Sequence, residues 1–193
     1  MINNYLNPMH FSGGTAWCYD PDMNTFRKLA LAGLLVALPL SAATVKLPPV
    51  AIATSLQSAL NERYGADEGA VLEQAVTQSL GRALKAAGAS LDAAAALRIE
   101  VSIEDAVPTH PTRWQLQRNP SLDYLRSVSR GGAHLVAVLR GADGQVIDRV
   151  DYHHYAMSIE DASLSGSAWG DAMLTIDRFA AEVVKAWRRH RDA

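Results

Sequence analysis

Three kinds of side-chain cluster in this 193-residue chain could do chemistry, and the histidines come first. His153 and His154 are adjacent, with His110 and His134 upstream. Imidazole pairs hold zinc or copper when both rings reach one ion. Adjacent residues on a strand point to opposite faces, so 153 and 154 cannot share an ion unless the strand bulges. No HxH or HExxH spacing links the other histidines. Ordinary strand histidines are therefore expected here, with His134 and His154 as the candidates should a metal be held. Nothing in the residue pattern asks for a cofactor.

The carboxylates Asp148, Asp151, Glu160 and Asp161 form the second cluster. A glycosidase pair needs two carboxyls about 5–10 Å apart in a sugar-sized cleft. A small domain with a one-layer sheet rarely offers one, so solvated charges are expected. Ser163 to Ser167 is loop material, without the flanking glycines of a nucleophile elbow. Gly131-Gly132 and Gly141-Ala142-Asp143-Gly144 lack the strand-to-helix context of a phosphate loop and read as hairpin punctuation. No catalytic residue is assigned, and a hydrolase is the least favoured function.

The third cluster is the segment Thr109 to Arg130. It interleaves Trp114 and Tyr124 with Arg113, Arg118, Arg126 and Arg130. Aromatics and arginine anchor protein interfaces, and a connection this long is uncommon unless it is functional or disordered. Arg113, Trp114, Tyr124 and Arg126 are the candidate partner-binding residues. The competing expectation, held equal to it, is that the aromatics cover a sheet edge.

The elements that must position these groups follow from periodicity. Leu72, Val76, Leu80, Leu84 and Ala87 recur at helical spacing and predict a helix over 67–87, with Gly88 as its stop. Leu97 to Glu104 alternates apolar and polar residues, which predicts a strand with one wet face. Residues 133–140 and 145–157, joined by the 141–144 turn, predict a β-hairpin. Trp169, Met173, Ile176, Ala180, Val183 and Trp187 predict a long final helix, with Ser167 as its N-cap. Residues 44–49 read as an extended entry, 50–60 as a weakly patterned strand and 61–65 as a turn. The fold class is α+β: a small, mostly antiparallel sheet in the order strand, helix, strand, hairpin, helix, with both helices packed on one face.

Composition limits the partners. Eighteen Lys and Arg against 20 Asp and Glu give a net charge of -2, which disfavours nucleic acid and anionic lipid. Arg27-Lys28, the apolar run 29–40 and the small residues Ser41-Ala42-Ala43 have the layout of a secretory signal peptide. The run is too short to be a membrane span. Residues 23–43 are thus expected to be a cleaved leader. Residues 1–22 are expected to be an extension from a misassigned start at Met1 in place of Met23. Residues 44–193 are then a single periplasmic domain with no transmembrane span. The one cysteine, Cys18, leaves with the leader, and Thr44 stands where a lipidated cysteine would be needed.

Tyr64-Gly65, Ser121-Leu122-Asp123-Tyr124-Leu125, Gly131-Gly132-Ala133 and Trp169-Gly170-Asp171-Ala172 carry a resemblance. Over 50–187 the chain resembles an uncharacterised family of exported proteobacterial envelope proteins, often lipoproteins, catalogued as a domain of unknown function. The resemblance implies an α+β envelope protein without an established enzyme activity. It departs from the lipoprotein members in lacking the lipidated cysteine. The expected function is a non-enzymatic accessory protein that binds another envelope protein or itself. The alternative is a small-molecule or metal-binding module on the sheet face around His134, Tyr152 and His154.

Overall fold

Segments with sustained periodicity set the architecture, and short segments complete it. The computed structural model describes residues 43–162 and 166–191, which fall within one compact unit. The upstream extension and, Ala43 apart, the expected leader lie outside the described residues. So do 163–165 of the serine-rich loop.

The first helical stripe forms α2, Glu68–Ala86, with Leu72, Val76, Leu80 and Leu84 all buried. The second forms α4, Gly170–Arg191, which buries Ile176, Phe179, Ala180, Val183 and Trp187. The Ser167 hydroxyl accepts a 3.2 Å bond from the Trp169 N–H just ahead of α4. Arg188, Arg189 and Arg191 sit in its last turn, where the helix dipole favours positive charge.

The alternating strand is β4, Leu97–Val107, with Ile99, Val101 and Ile103 buried and Glu100, Ser102 and Glu104 half-buried opposite them. The hairpin forms as β5, Gly132–Arg140, and β6, Val146–Tyr155, paired antiparallel. The fold is α+β, as expected, but the sheet is mixed. Three further short strands complete it: β1 (Thr44–Lys46), β2 (Ala51–Ile52) and β3 (Ser90–Leu91). The order is β3-β1-β4-β5-β6, with β2 beside β4 off this path. β1 runs parallel to β3 and β4, and β2 parallel to β4. The expectation of a mostly antiparallel sheet fails on this side because strands of two or three residues are too short to show alternation.

Residues 50–60 correct a second expectation. Only Ala51–Ile52 is strand. Helix α1, Thr54–Ala59, follows and continues as a π-helical turn over Leu60–Tyr64, so residues 61–64 are not a free turn. Leu56, Ala59 and Leu60 are buried, a three-and-four spacing that favours helix.

The 109–130 segment is not bare loop. It contains α3, Arg113–Arg118, started by a capping box. The Thr112 hydroxyl accepts from the Gln115 N–H at 3.3 Å, and the Gln115 side chain accepts from the Thr112 N–H at 3.0 Å.

α4 lies against β5 and β6, and α2 packs against α4. Trp169, Phe179 and Trp187 are fully buried in a core shared with Ile99, Leu135 and Leu139. Burial of each such side chain contributes roughly 1.5–3 kcal/mol. Among the described residues no helix is long and apolar enough to cross a membrane.

Candidate functional site

Three of the four motif segments meet at one buried junction. The end of β4 arrives as Pro108-Thr109-His110, all buried. The Thr109 and His110 N–H groups donate to the Ala168 carbonyl at 2.7 and 3.2 Å. Gly131 packs so closely that a Cβ there would collide with the Thr109 hydroxyl and come within 3.0 Å of Asp171 Oδ2. Trp169 donates its indole N–H to Glu68 Oε2 at 2.7 Å and meets Tyr64 edge-on, with 5.7 Å between ring centroids. The Thr112 hydroxyl donates to the Tyr64 carbonyl at 2.6 Å. These side chains serve the fold: each ties two distant elements together.

Outside this junction lies an open cleft of about 400 Å³ between the π-turn and α3. Arg63, Tyr64, Trp114, Gln115, Arg118 and Leu122 line it. The Arg118 guanidinium lies over the Trp114 ring at 4.3 Å, and Arg63 over Tyr64 at 5.2 Å. Trp114 can sit there because Gly65 makes room. Its φ of 110° is one that few other residues adopt, and a Cβ would come within 2.9 Å of Trp114 Cβ. Arg113 is exposed on α3 beside Trp114.

Tyr124 has a different task. Its ring stacks on His110 at 5.1 Å and 25°, and its hydroxyl donates to the Gly166 carbonyl at 3.0 Å. Arg126 is exposed, and its N–H donates to Asp123 Oδ1 at 2.9 Å. Of the four partner candidates, then, Arg113 and Trp114 stand together on α3. Tyr124 and Arg126 belong to the self-bonded turn that follows. Arg63 and Tyr64 are the cleft residues that sequence reasoning did not single out for binding, because they sit on an element read as a turn.

The histidines separate by face. His134 pairs directly with His153 across the hairpin, and Ala133 with His154. His134 and His153 therefore share the open face, while His154 and Tyr152 lie on the face that carries Ala133 and Leu135. A bulge between Leu139 and Arg140 is the cause. A regular ladder continued from the Arg140–Val146 pair would place His134 opposite Tyr152. The one extra residue turns the whole of β6 over. The expected grouping of His134 with Tyr152 and His154 thus does not form. His134 Nε2 instead lies 2.8 Å from Asp151 Oδ1. That bond is the main reason the Asp151 carboxyl sits below its ordinary range.

The remaining carboxylates do not form a catalytic pair. Asp148 and Asp151 fall on opposite faces of β6, Asp148 being held by Arg189 at 2.8 Å and His190 at 3.1 Å. Asp161 accepts from the Ser158 hydroxyl at 2.9 Å. Tyr155 donates to Asp105 at 2.7 Å, and burial together with this neighbour pushes its phenol well above the usual range.

No protein-family model matches the chain, and no curated protein matches it in sequence. Among solved structures it is similar to a protein from Xanthomonas campestris described under the family model DUF330. That match has 13% identity and a TM-score of 0.46, covering 81% of this chain and 89% of the other. It is also similar to a PelC variant, a dodecamer, from Paraburkholderia phytofirmans. Here the identity is 10% and the TM-score 0.42, covering 72% of this chain and 85% of the other.

Proposed function

We propose that this chain is an exported, non-enzymatic accessory protein of the cell envelope that binds a protein partner through α3 and the adjoining cleft. The observation that carries this reading is the paired stacking of Arg118 on Trp114 and Arg63 on Tyr64 in one open surface cleft. Tyr and Trp faces bind at low entropic cost, and arginine is enriched among interface anchors. The residues lining that cleft include no histidine, carboxylate or serine to act as acid, base or nucleophile. Its chemistry suits a partner segment that offers carboxylates to the two arginines and an apolar side chain to Trp114.

Export rests on the leader-like order of charge, apolar run and small residues at 23–43. The resemblance to exported envelope proteins points the same way. A periplasmic address without a lipid anchor follows from cleavage after Ala43 and from Thr44 at the next position.

A photoreactive amino acid at position 114, installed in the native host, tests the binding reading. One discrete adduct is expected, present neither with the probe at exposed Val71 nor in an Arg118→Glu background. A pattern identical to the Val71 probe would overturn the reading.

A further inference from the structure

The open face of the β5–β6 hairpin carries a second arrangement, unrelated to the α3 cleft. His134 and His153 are directly opposed across the two strands, and Asp151 precedes His153 by two residues on the same face. The two rings are 5.6 Å apart at 78°. One ligand atom from each of the three residues lies within 4.8 Å of the others. Asp151 and His153 are exposed and His134 is half-buried, so the side chains have room to turn.

We infer that His134, Asp151 and His153 form a surface site for a divalent first-row transition ion of the zinc or copper class. Two imidazoles and one carboxylate are the donors such ions prefer, whereas calcium and magnesium require more oxygen ligands. A tetrahedral zinc site sets its ligand atoms about 3.3 Å apart. Side-chain rotation has to close the remaining gap from 4.8 Å, since the hairpin ladder sets the backbone positions. The His134–Asp151 contact at 2.8 Å already brings one nitrogen and one oxygen together. A three-ligand site on an open sheet face keeps its outer position free for water or for a donor from a partner.

The surrounding charges define how the site is tuned. Arg149 Nη2 lies 3.5 Å from Asp151 Oδ2 and competes with a cation for that carboxylate. On the other side of β5, Asp105 of β4 is paired with His134 and adds negative charge near the cluster. His154, on the other face, takes no part; its carbonyl accepts from the Thr175 hydroxyl at 3.1 Å.

Calorimetric titration of the tag-free full chain with zinc alone, in a non-chelating buffer near neutral pH, tests the site. The expected result is one equivalent bound in the micromolar range. His134→Ala and His153→Ala should each weaken it at least tenfold, and His154→Ala should leave it unchanged. Arg149→Gln should tighten it several-fold by releasing Asp151. All four positions are exposed or half-buried, and matched circular dichroism spectra would show that the variants fold. No zinc binding, or zinc binding that survives both the His134 and His153 substitutions, would overturn the inference.

Discussion

Thr109 and Asp171, 62 residues apart in sequence, hold each other by two reciprocal hydrogen bonds. The Thr109 hydroxyl donates to Asp171 Oδ2 at 3.0 Å and accepts from the Asp171 N–H at 3.0 Å. Both residues are buried, and the pair joins the end of β4 to the first turn of α4. Removing one partner leaves the other buried with a bond missing, which costs about 1–3 kcal/mol. Thr109→Val and Asp171→Ala should each lower the unfolding free energy from urea titration by that amount, read as a lower midpoint at unchanged slope. The double variant should lose less than the two together, because the second change removes a group already orphaned. Full additivity would show that the pair is not coupled.

Gly131 is expected to be intolerant of any side chain. A Cβ there meets the Thr109 hydroxyl and the Thr109 N–H, so Gly131→Ala must displace this junction. Overpacking of this kind costs about 1–3 kcal/mol. Gly166→Ala is the control, since a Cβ there meets nothing within 4 Å. Thermal unfolding of the two variants should separate them clearly, with Gly166→Ala near wild type.

Acid should weaken the fold through its depressed carboxylates, Glu100 and Asp148 among them. The Arg140 hydrogen bond is the main reason the Glu100 carboxyl sits below its ordinary range. Burial pulls the Asp148 carboxyl up, but hydrogen bonds from the Arg189 side chain, the Arg149 backbone and His190 outweigh it and hold it low. A depressed folded-state pKa gives stability that is present above the unfolded value, about 4 for these groups, and lost as pH falls through the folded value. Solvent screening keeps each contribution below about 1 kcal/mol. Melting temperature should therefore fall between pH 5 and 3, to within about a unit at each end. Glu100→Gln should flatten that slope while lowering the melting temperature at neutral pH. A variant whose acid slope matches wild type would remove Glu100 from the account.

The purified periplasmic fraction should yield a polypeptide whose first residue is Thr44. Intact-mass and N-terminal peptide measurements check this directly. A chain retaining residues 23–43 would remove the export reading and with it the envelope address.

Legibility in the sequence followed element length. α2, β4, the hairpin and α4 each repeat their pattern often enough for the period to be counted. β1, β2 and β3 do not, and the parallel half of the sheet was hidden with them. α1 is one and a half turns long, too short to outweigh the Ile52–Leu56 pattern that reads as strand, although Leu56 and Leu60 stand one helical step apart. The partner candidates Arg113 and Trp114 were visible as residue types. Their neighbours Arg63 and Tyr64 were not, because the π-turn brings them in from a distant segment. For the histidines, face assignment depended on a single bulged residue at the hairpin end. Alternation alone could not show that His153, and not His154, joins His134.

The position of α4 in the chain bears on when folding can finish. Its buried face fills the space over β5 and β6 and beside α2, so a nascent polypeptide that has not yet presented Gly170 onward to solvent has no way to close its interior. Without the turns of α4 the apolar side of the β5–β6 sheet and the facing side of α2 stay open to water.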